Sequence, residues 1–226
     1  MKRMLLAPLF LLAAACGSTG GDDAGVRMTE DDFETKIASA IAFDASLLKT
    51  GDRVVYFVKR KGESQSQKYS WAAVSEEPNA VWIENKVPLD PRPMVVKTKV
   101  ERSGKVLEQW IGEPGGVPGK TYPSSKSADG PAPIRDTSTA KADSKEEVDR
   151  ITVGGKTWDC TRVTTNLAYP DGRKSTMINW FSKEVPFAAS KALGGLVKRQ
   201  FGKLTMELVV GDHSGQSEML IPAPQK

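Results

Sequence analysis

The 226 residues predict a mainly β (α+β) fold, in which a curved antiparallel sheet or half-open β-barrel packs on one N-terminal amphipathic helix. Three observations predict it. From Arg53 onward, apolar residues recur with the period of two expected of half-buried strands. The runs are separated by short turns such as "RSGK" and "PDGR", which mark hairpins. Only one stretch, "TEDDFETKIASAIAF" (Thr29–Phe43), spaces its apolar residues as a helix does. A one-sided sheet and a one-sided helix each leave an apolar face, and packing them together buries both.

In the helical stretch, Thr29 can cap the N-terminus with Asp32 three residues on, and Glu30 and Asp31 suit the positive helix end. Phe33, Ile37, Ala40 and Ile41 then share one face, and "KTGDR" breaks the pattern. Five strand-like runs follow: "RVVYFVKRK", "SQKYSWAAV", "AVWIENKV", "PMVVKTKVER" and "KVLEQWIG". Val96, Thr98 and Val100 fall on one face of the fourth run, and Lys97, Lys99 and Glu101 on the other, as in a sheet with one wet side. Residues 113–147 are rich in Pro, Gly, Ser and Lys and nearly free of large apolar side chains. No core can be built from them, so they read as a loop or disordered insertion in a single domain spanning 29–222. Strands then resume with "VDRITV", a "GG" turn, "KTWDCTRVTTNLAY", "KSTMINWFS", "GLVKRQF" and "KLTMELVV", giving nine or ten strands in all. In the last run Leu204, Met206, Leu208 and Val210 face one way, Thr205, Glu207 and Val209 the other.

The chain's start has a different character. In "MKRMLLAPLFLLAAAC", Lys2 and Arg3 precede an apolar run, and Ala13 to Ala15 lead into Cys16, the layout of a bacterial secretory signal peptide. Its twelve apolar-region residues would rise roughly 18 Å as a helix, short of a bilayer core of about 30 Å. Residues 1–15 therefore read as a segment to be removed, and residues 16–28 as a small, polar tether. The stretch resembles the lipobox of bacterial lipoproteins, with Ala13 in the place where the usual pattern has Leu. The resemblance implies a diacylglyceryl group on the Cys16 thiol and cleavage just before it, which makes Cys16 a membrane anchor, since two or more acyl chains hold a protein stably. The competing reading is an ordinary secretory signal cut near Ala15 that leaves Cys16 free. Gly17, rather than Asp, follows the cysteine, which favours the outer membrane over retention at the inner one.

Cleavage before Cys16 removes Lys2 and Arg3 and lowers the formal net charge from +4 to +2. A mature chain with both signs interspersed carries no nucleic-acid footprint. With Cys16 acylated, Cys160 is the remaining thiol, in a strand where it reads as a packing residue. The chain holds one histidine, His213, too few for a histidine zinc site, and it lacks nucleophile-elbow, metalloprotease and phosphate-loop motifs. In "GDHSG" the consecutive side chains of Asp212, His213 and Ser214 do not converge as a triad must. The expectation is a non-enzyme without metal or cofactor.

The stretch "INWFSKEVPFAASKALGGLVKRQF", with "GGKTWDC" upstream, resembles bacterial envelope lipoproteins that share the fold of the lipoprotein-localisation (Lol) carriers and receptors, an unclosed β-barrel with helices as a lid. The resemblance implies a hydrophobic concavity for acyl chains or another apolar ligand, with Trp158, Trp180 and Phe187 as its candidate lining. The alternative is that Trp71, Trp82, Trp110, Trp158 and Trp180 simply fill the core. The expected function is that of a periplasm-facing outer-membrane lipoprotein that binds or carries a lipid, a lipoprotein or another apolar ligand. The rival is a non-enzymatic scaffold or accessory subunit of an envelope machine, with an envelope protein as its partner.

Overall fold

Eleven antiparallel strands account for most of residues 41–88, 92–116, 121–123, 141–169 and 172–219, the residues described by a computed structural model of the chain. They are β1 (Arg53–Arg60), β2 (Ser66–Glu77), β3 (Ala80–Val87), β4 (Met94–Glu101), β5 (Val106–Gly112), β6 (Thr121–Pro123), β7 (Lys141–Val153), β8 (Lys156–Ala168), β9 (Lys174–Ser182), β10 (Gly195–Phe201) and β11 (Leu204–Asp212). Their spatial order is β6-β5-β4-β3-β2-β1-β11-β10-β9-β8-β7. Two meanders are thus joined where the first strand pairs the last, Val58 opposite Met206 and Tyr56 opposite Leu208. β6 and β7 form the two edges, so the sheet is not closed.

The mainly β, antiparallel, unclosed architecture follows the sequence pattern. The helix expected from Thr29 lies outside the described residues, apart from its last three. These, with the chain up to Asp52, run as loop and turn, and Ile41, Phe43, Ala45 and Leu48 are buried in the core. The long insertion ends earlier than its composition suggests: Lys141 to Glu147 already belong to β7 and pair with Ala168 to Arg162 of β8. They escape an apolar-periodicity reading because β7 is an edge strand with charges on both faces, a common protection against edge-to-edge pairing.

Local chemistry sets the turns. β7 and β8 are joined by Gly154 and Gly155, both at positive φ (58° and 79°), as a two-residue type I′ hairpin demands. β9 and β10 are joined by a longer loop in which Gly194 is obligatory. A Cβ there would lie 2.1 Å from the Ser182 carbonyl oxygen. Register shifts at Val55/Tyr56, Ala73/Ser75, Lys99/Val100 and Leu196/Lys198 increase local twist and bend the strands.

The register defines two faces. Tyr56, Val58, Ile83, Val100, Phe181 and Met206 lie on the first, and all are buried. Tyr56 and Tyr69 pack against Trp71 with centroids 5.7 and 6.1 Å away, and the buried Tyr56 hydroxyl donates to the Leu196 carbonyl at 2.8 Å. Residues Ile41–Leu48 and the β9–β10 loop meet at one end of this face, where Phe43 and Phe187 pack edge to face at 5.8 Å. The second face carries cross-strand ion pairs such as Lys198–Glu207 at 2.6 Å.

One expectation for the second face needs correction. Lys97, assigned by alternation to a wet side, is 6% exposed and Glu84 is 5% exposed. Their ion pair (2.9 Å) lies beneath the segment that follows β11. Glu84 accepts from the Ser217 hydroxyl and the Glu218 amide, and Lys97 donates to Ser217 Oγ at 2.7 Å and to the Met219 carbonyl at 3.4 Å. The Gly215 amide meanwhile holds the Gly51 carbonyl at 2.7 Å. Residues 213–219 therefore form a strap across β2, β3 and β4, hydrogen-bonding nearly every valence of the pair it covers.

Candidate functional site

Trp158, Trp180 and Phe187 all belong to one contiguous apolar cluster, at 8%, 8% and 2% exposure. They reach it by different routes. Phe187 comes from the β9–β10 loop at φ 58°, a strained conformation for a bulky residue, held by its contact with Phe43. Trp180 lies opposite Arg162 and Lys198, hence on the second face, and Trp158 lies opposite Ile151 on that same face. Burial therefore changes faces along the sheet. Near the β7–β8 turn the second face is covered, and a Cβ at Gly154 would sit 3.7 Å from the Leu208 carbonyl as the hairpin tip folds back over β11.

Polar handles in this region are distinct. Trp180 donates its indole N–H to Asp149 at 2.8 Å, and that bond, followed by the Arg150 amide, holds the Asp149 carboxyl below its usual range. Trp158 has its ring under the Lys156 ammonium at 3.7 Å, while its buried Nε1 has no partner among the described residues. A buried N–H left unpaired is costly, so this donor is suited to an oxygen of a ligand or water. Cys160, opposite Asp149, is 5% exposed. Burial pushes its thiol up to about 11, with Asp149, Asp159 and Glu184 adding to the effect. It is a packing residue, with its nucleophilic form suppressed.

The first face holds a group that the sequence reading passed over. Arg199 is 6% exposed, opposite Asn179 on β9 and Met206 on β11, and donates Nε–H to Asn179 Oδ1 at 2.6 Å. Burial pulls the guanidinium down to about 10, so it stays charged at neutral pH. Burial also pushes the nearby Tyr56 phenol well above its usual value, keeping it neutral. A signal was present: in "GLVKRQF", Arg199 alternates in phase with the buried Val197 and Phe201.

Away from Arg199 the first face loses its cover. Val163, Leu167 and Met177 are only partly buried, and Val148 on the edge strand is 94% exposed. By register Val148 stands opposite Thr161, which stands opposite Phe181. A largely apolar strip, interrupted by Thr161 and Thr165, thus runs from the core toward the open edge.

The remaining sequence candidates fall as follows. His213 Nδ1 lies 2.6 Å from Asp52 Oδ1, whereas the Ser214 hydroxyl donates to Asp212. Asp212 and Ser214 thus bond to each other while His213 turns away to Asp52, so the three do not form one relay. Trp71 is buried, while Trp82 and Trp110 lie on the second face and donate to Glu77 (2.9 Å) and Glu108 (2.6 Å). Cys16 lies outside the described residues. Among those residues no group of three His, Cys, Asp or Glu side chains could hold a metal ion, and no helix is long and apolar enough to cross a membrane.

No protein-family model matches the chain, and no curated protein sequence matches it. The functional reading rests on the fold and on side-chain chemistry.

Proposed function

We propose that this chain is a lipoprotein of the bacterial outer membrane, anchored through Cys16 and facing the periplasm, whose unclosed sheet binds or carries a lipid, the lipid part of a lipoprotein, or another apolar ligand. The observation that carries the reading is the apolar strip at the open edge, where Val148 is exposed and Val163, Leu167 and Met177 of the same face are only partly buried. Apolar surface left in part to solvent is a candidate binding surface. The lipobox-like "LLAAAC" supports the anchor, and the unclosed antiparallel sheet is consistent with a Lol-like relationship.

Two experiments test it. Organic extraction of the purified full chain should release a lipid beyond the acyl groups on Cys16, seen by mass spectrometry, and a fluorescent fatty acid should exchange into the protein. Val148→Asp, at the 94% exposed position of the strip, should weaken that probe while the unfolding midpoint holds. A protein that carries no lipid and ignores the probe is a scaffold instead. Separately, Cys16→Ala should move the protein out of the membrane fraction, and unchanged fractionation would refute the anchor.

A further inference from the structure

At the end of the sheet opposite the Phe187 loop, two hairpins stand side by side. β1 turns into β2 through residues 61–65, which include Lys61 and Glu63, and β10 turns into β11 through Gly202 and Lys203. The Lys61 amide donates to the Lys203 carbonyl at 2.8 Å and holds the two turns together. Between them lies an open depression of about 400 Å3, lined by Lys59, Arg60, Lys61 and Lys203 and, among the described residues, by no carboxylate.

Three lysines elsewhere on the second face are matched across strands: Lys198 with Glu207 at 2.6 Å, Lys99 with Glu77 at 2.7 Å, Lys97 with Glu84 at 2.9 Å. Lys59, Lys61 and Lys203 form no ion pair with any described residue, while Arg60 has Glu63 at 3.6 Å. Like charges held together repel, and an anion placed among them relieves that repulsion. The Gln200 amide and Thr205 hydroxyl in the same lining add neutral donors, a set that suits the several acceptor oxygens of a phosphate. Phe57, two residues from Lys59 on the same face of β1, is 43% exposed. An exposed aromatic beside a basic cluster combines the apolar and electrostatic parts of binding to an anionic membrane.

We propose that this depression receives the phosphate of an anionic phospholipid headgroup and seats the hairpin end of the sheet on a membrane surface. The proposal rests on the reading of the chain as a membrane-associated, lipid-handling protein. The same phosphate chemistry exists on free phosphate, and the test separates the two sources.

The full chain is partitioned onto vesicles of phosphatidylcholine alone and onto vesicles in which part of it is replaced by phosphatidylglycerol. Anchoring by acyl chains contributes to both, so the ratio reads the basic site alone. The ratio should favour the anionic vesicles by roughly a hundredfold at low salt for three lysines near the surface, and shrink as salt rises. The triple variant Lys59→Gln, Lys61→Gln, Lys203→Gln should bring the ratio close to one. A control triple of equal charge change at the opposite end, Lys49→Gln, Lys105→Gln, Lys183→Gln, should leave it high. A ratio near one for the unaltered chain, a ratio kept by the first triple, or an equal loss in both triples overturns the site. Calorimetric titration with inorganic phosphate should show no saturable binding, and saturable binding that also displaces the protein from anionic vesicles reassigns the site to free phosphate. If neutral vesicles and apolar probes fail while the lysine-dependent ratio persists, the lipid-carrying reading falls and the headgroup site stands.

Discussion

The Glu84–Lys97 pair of β3 and β4 and the Lys156–Glu184 pair beside β8 have nearly the same N···O distance, 2.9 and 2.8 Å. Their surroundings could hardly differ more. The first is roofed by residues 213–219 and is about one-twentieth exposed on each side chain, while the second is more than half exposed on both. The first half of the sheet is covered on both faces at this point. In the second half, cover on the first face runs out at Val148. The contrast teaches that the same pairing chemistry is structural where a third element removes water and nearly inconsequential where none does.

The largest expected effect breaks the covered pair. Lys97→Met leaves Glu84 charged and buried with only the strap's donors, and removing one member of a buried pair costs about 3–5 kcal/mol. Urea unfolding should show that loss, and Lys156→Met on the exposed pair should cost no more than ~0.5 kcal/mol. Equal losses would show that the strap does not shield Glu84.

Next comes the buried thiol of the second half. In the unfolded chain Cys160 ionises near 9.0, whereas in the fold it does so near 11. The folded state therefore holds its proton more tightly, so this contribution to stability is complete below pH 9 and is lost as pH rises toward 11. At pH 8 native Cys160 should react with iodoacetamide roughly a hundredfold more slowly than in urea, because the thiolate is the reactive form. Equal rates would mean that the Trp158–Cys160 region opens readily.

A smaller effect returns to the covered half, on the acid side. The Thr50 amide and then Arg102 hold the Glu76 carboxyl below its usual range. At Asp212 burial pushes upward, but Arg53 and Ser214 outweigh it and the net shift is down. Depressed carboxylates stabilise the fold above the unfolded carboxylate pKa of about 4 and lose that contribution as pH falls through the folded value. A modest fall in Tm below about pH 4 is expected, and Arg53→Gln should flatten it.

The smallest effect is at the open edge. Val148→Asp should change stability by no more than about 0.5 kcal/mol, as for other surface substitutions, while weakening the fatty-acid probe. A large loss of stability would mean that Val148 is covered in solution, and the apolar strip would cease to be a candidate site.

Much of this was legible in the chain, and the reasons are local. Val96, Thr98 and Val100 alternate with Lys97 and Lys99, so a half-buried strand could be read without knowing its neighbours. "GG" at 154–155 and "RSGK" at 102–105 announce hairpins because glycine reaches φ values that other residues reach only with strain. The burial of Lys97 could not be read in this way, since Ser217 lies 120 residues away. The same holds for His213 and Asp52, separated by 161. The basic depression was equally hidden, because Lys59 and Lys203 are distant in sequence and meet only when β1 pairs with β11.

The sequence by itself determined an antiparallel, mainly β chain with hairpin turns, because alternation and turn chemistry act over two to four residues and need no tertiary partner. Only the tertiary structure decided which of two chemically similar faces is dry at each point along the sheet. It buried Trp158 and Trp180 on the face opposite Tyr56, sank Arg199 beside Asn179, roofed Glu84 and Lys97, and left Val148 in water. Burial belongs to whatever element arrives from elsewhere in the chain, and period-two patterning records only that one side differs from the other.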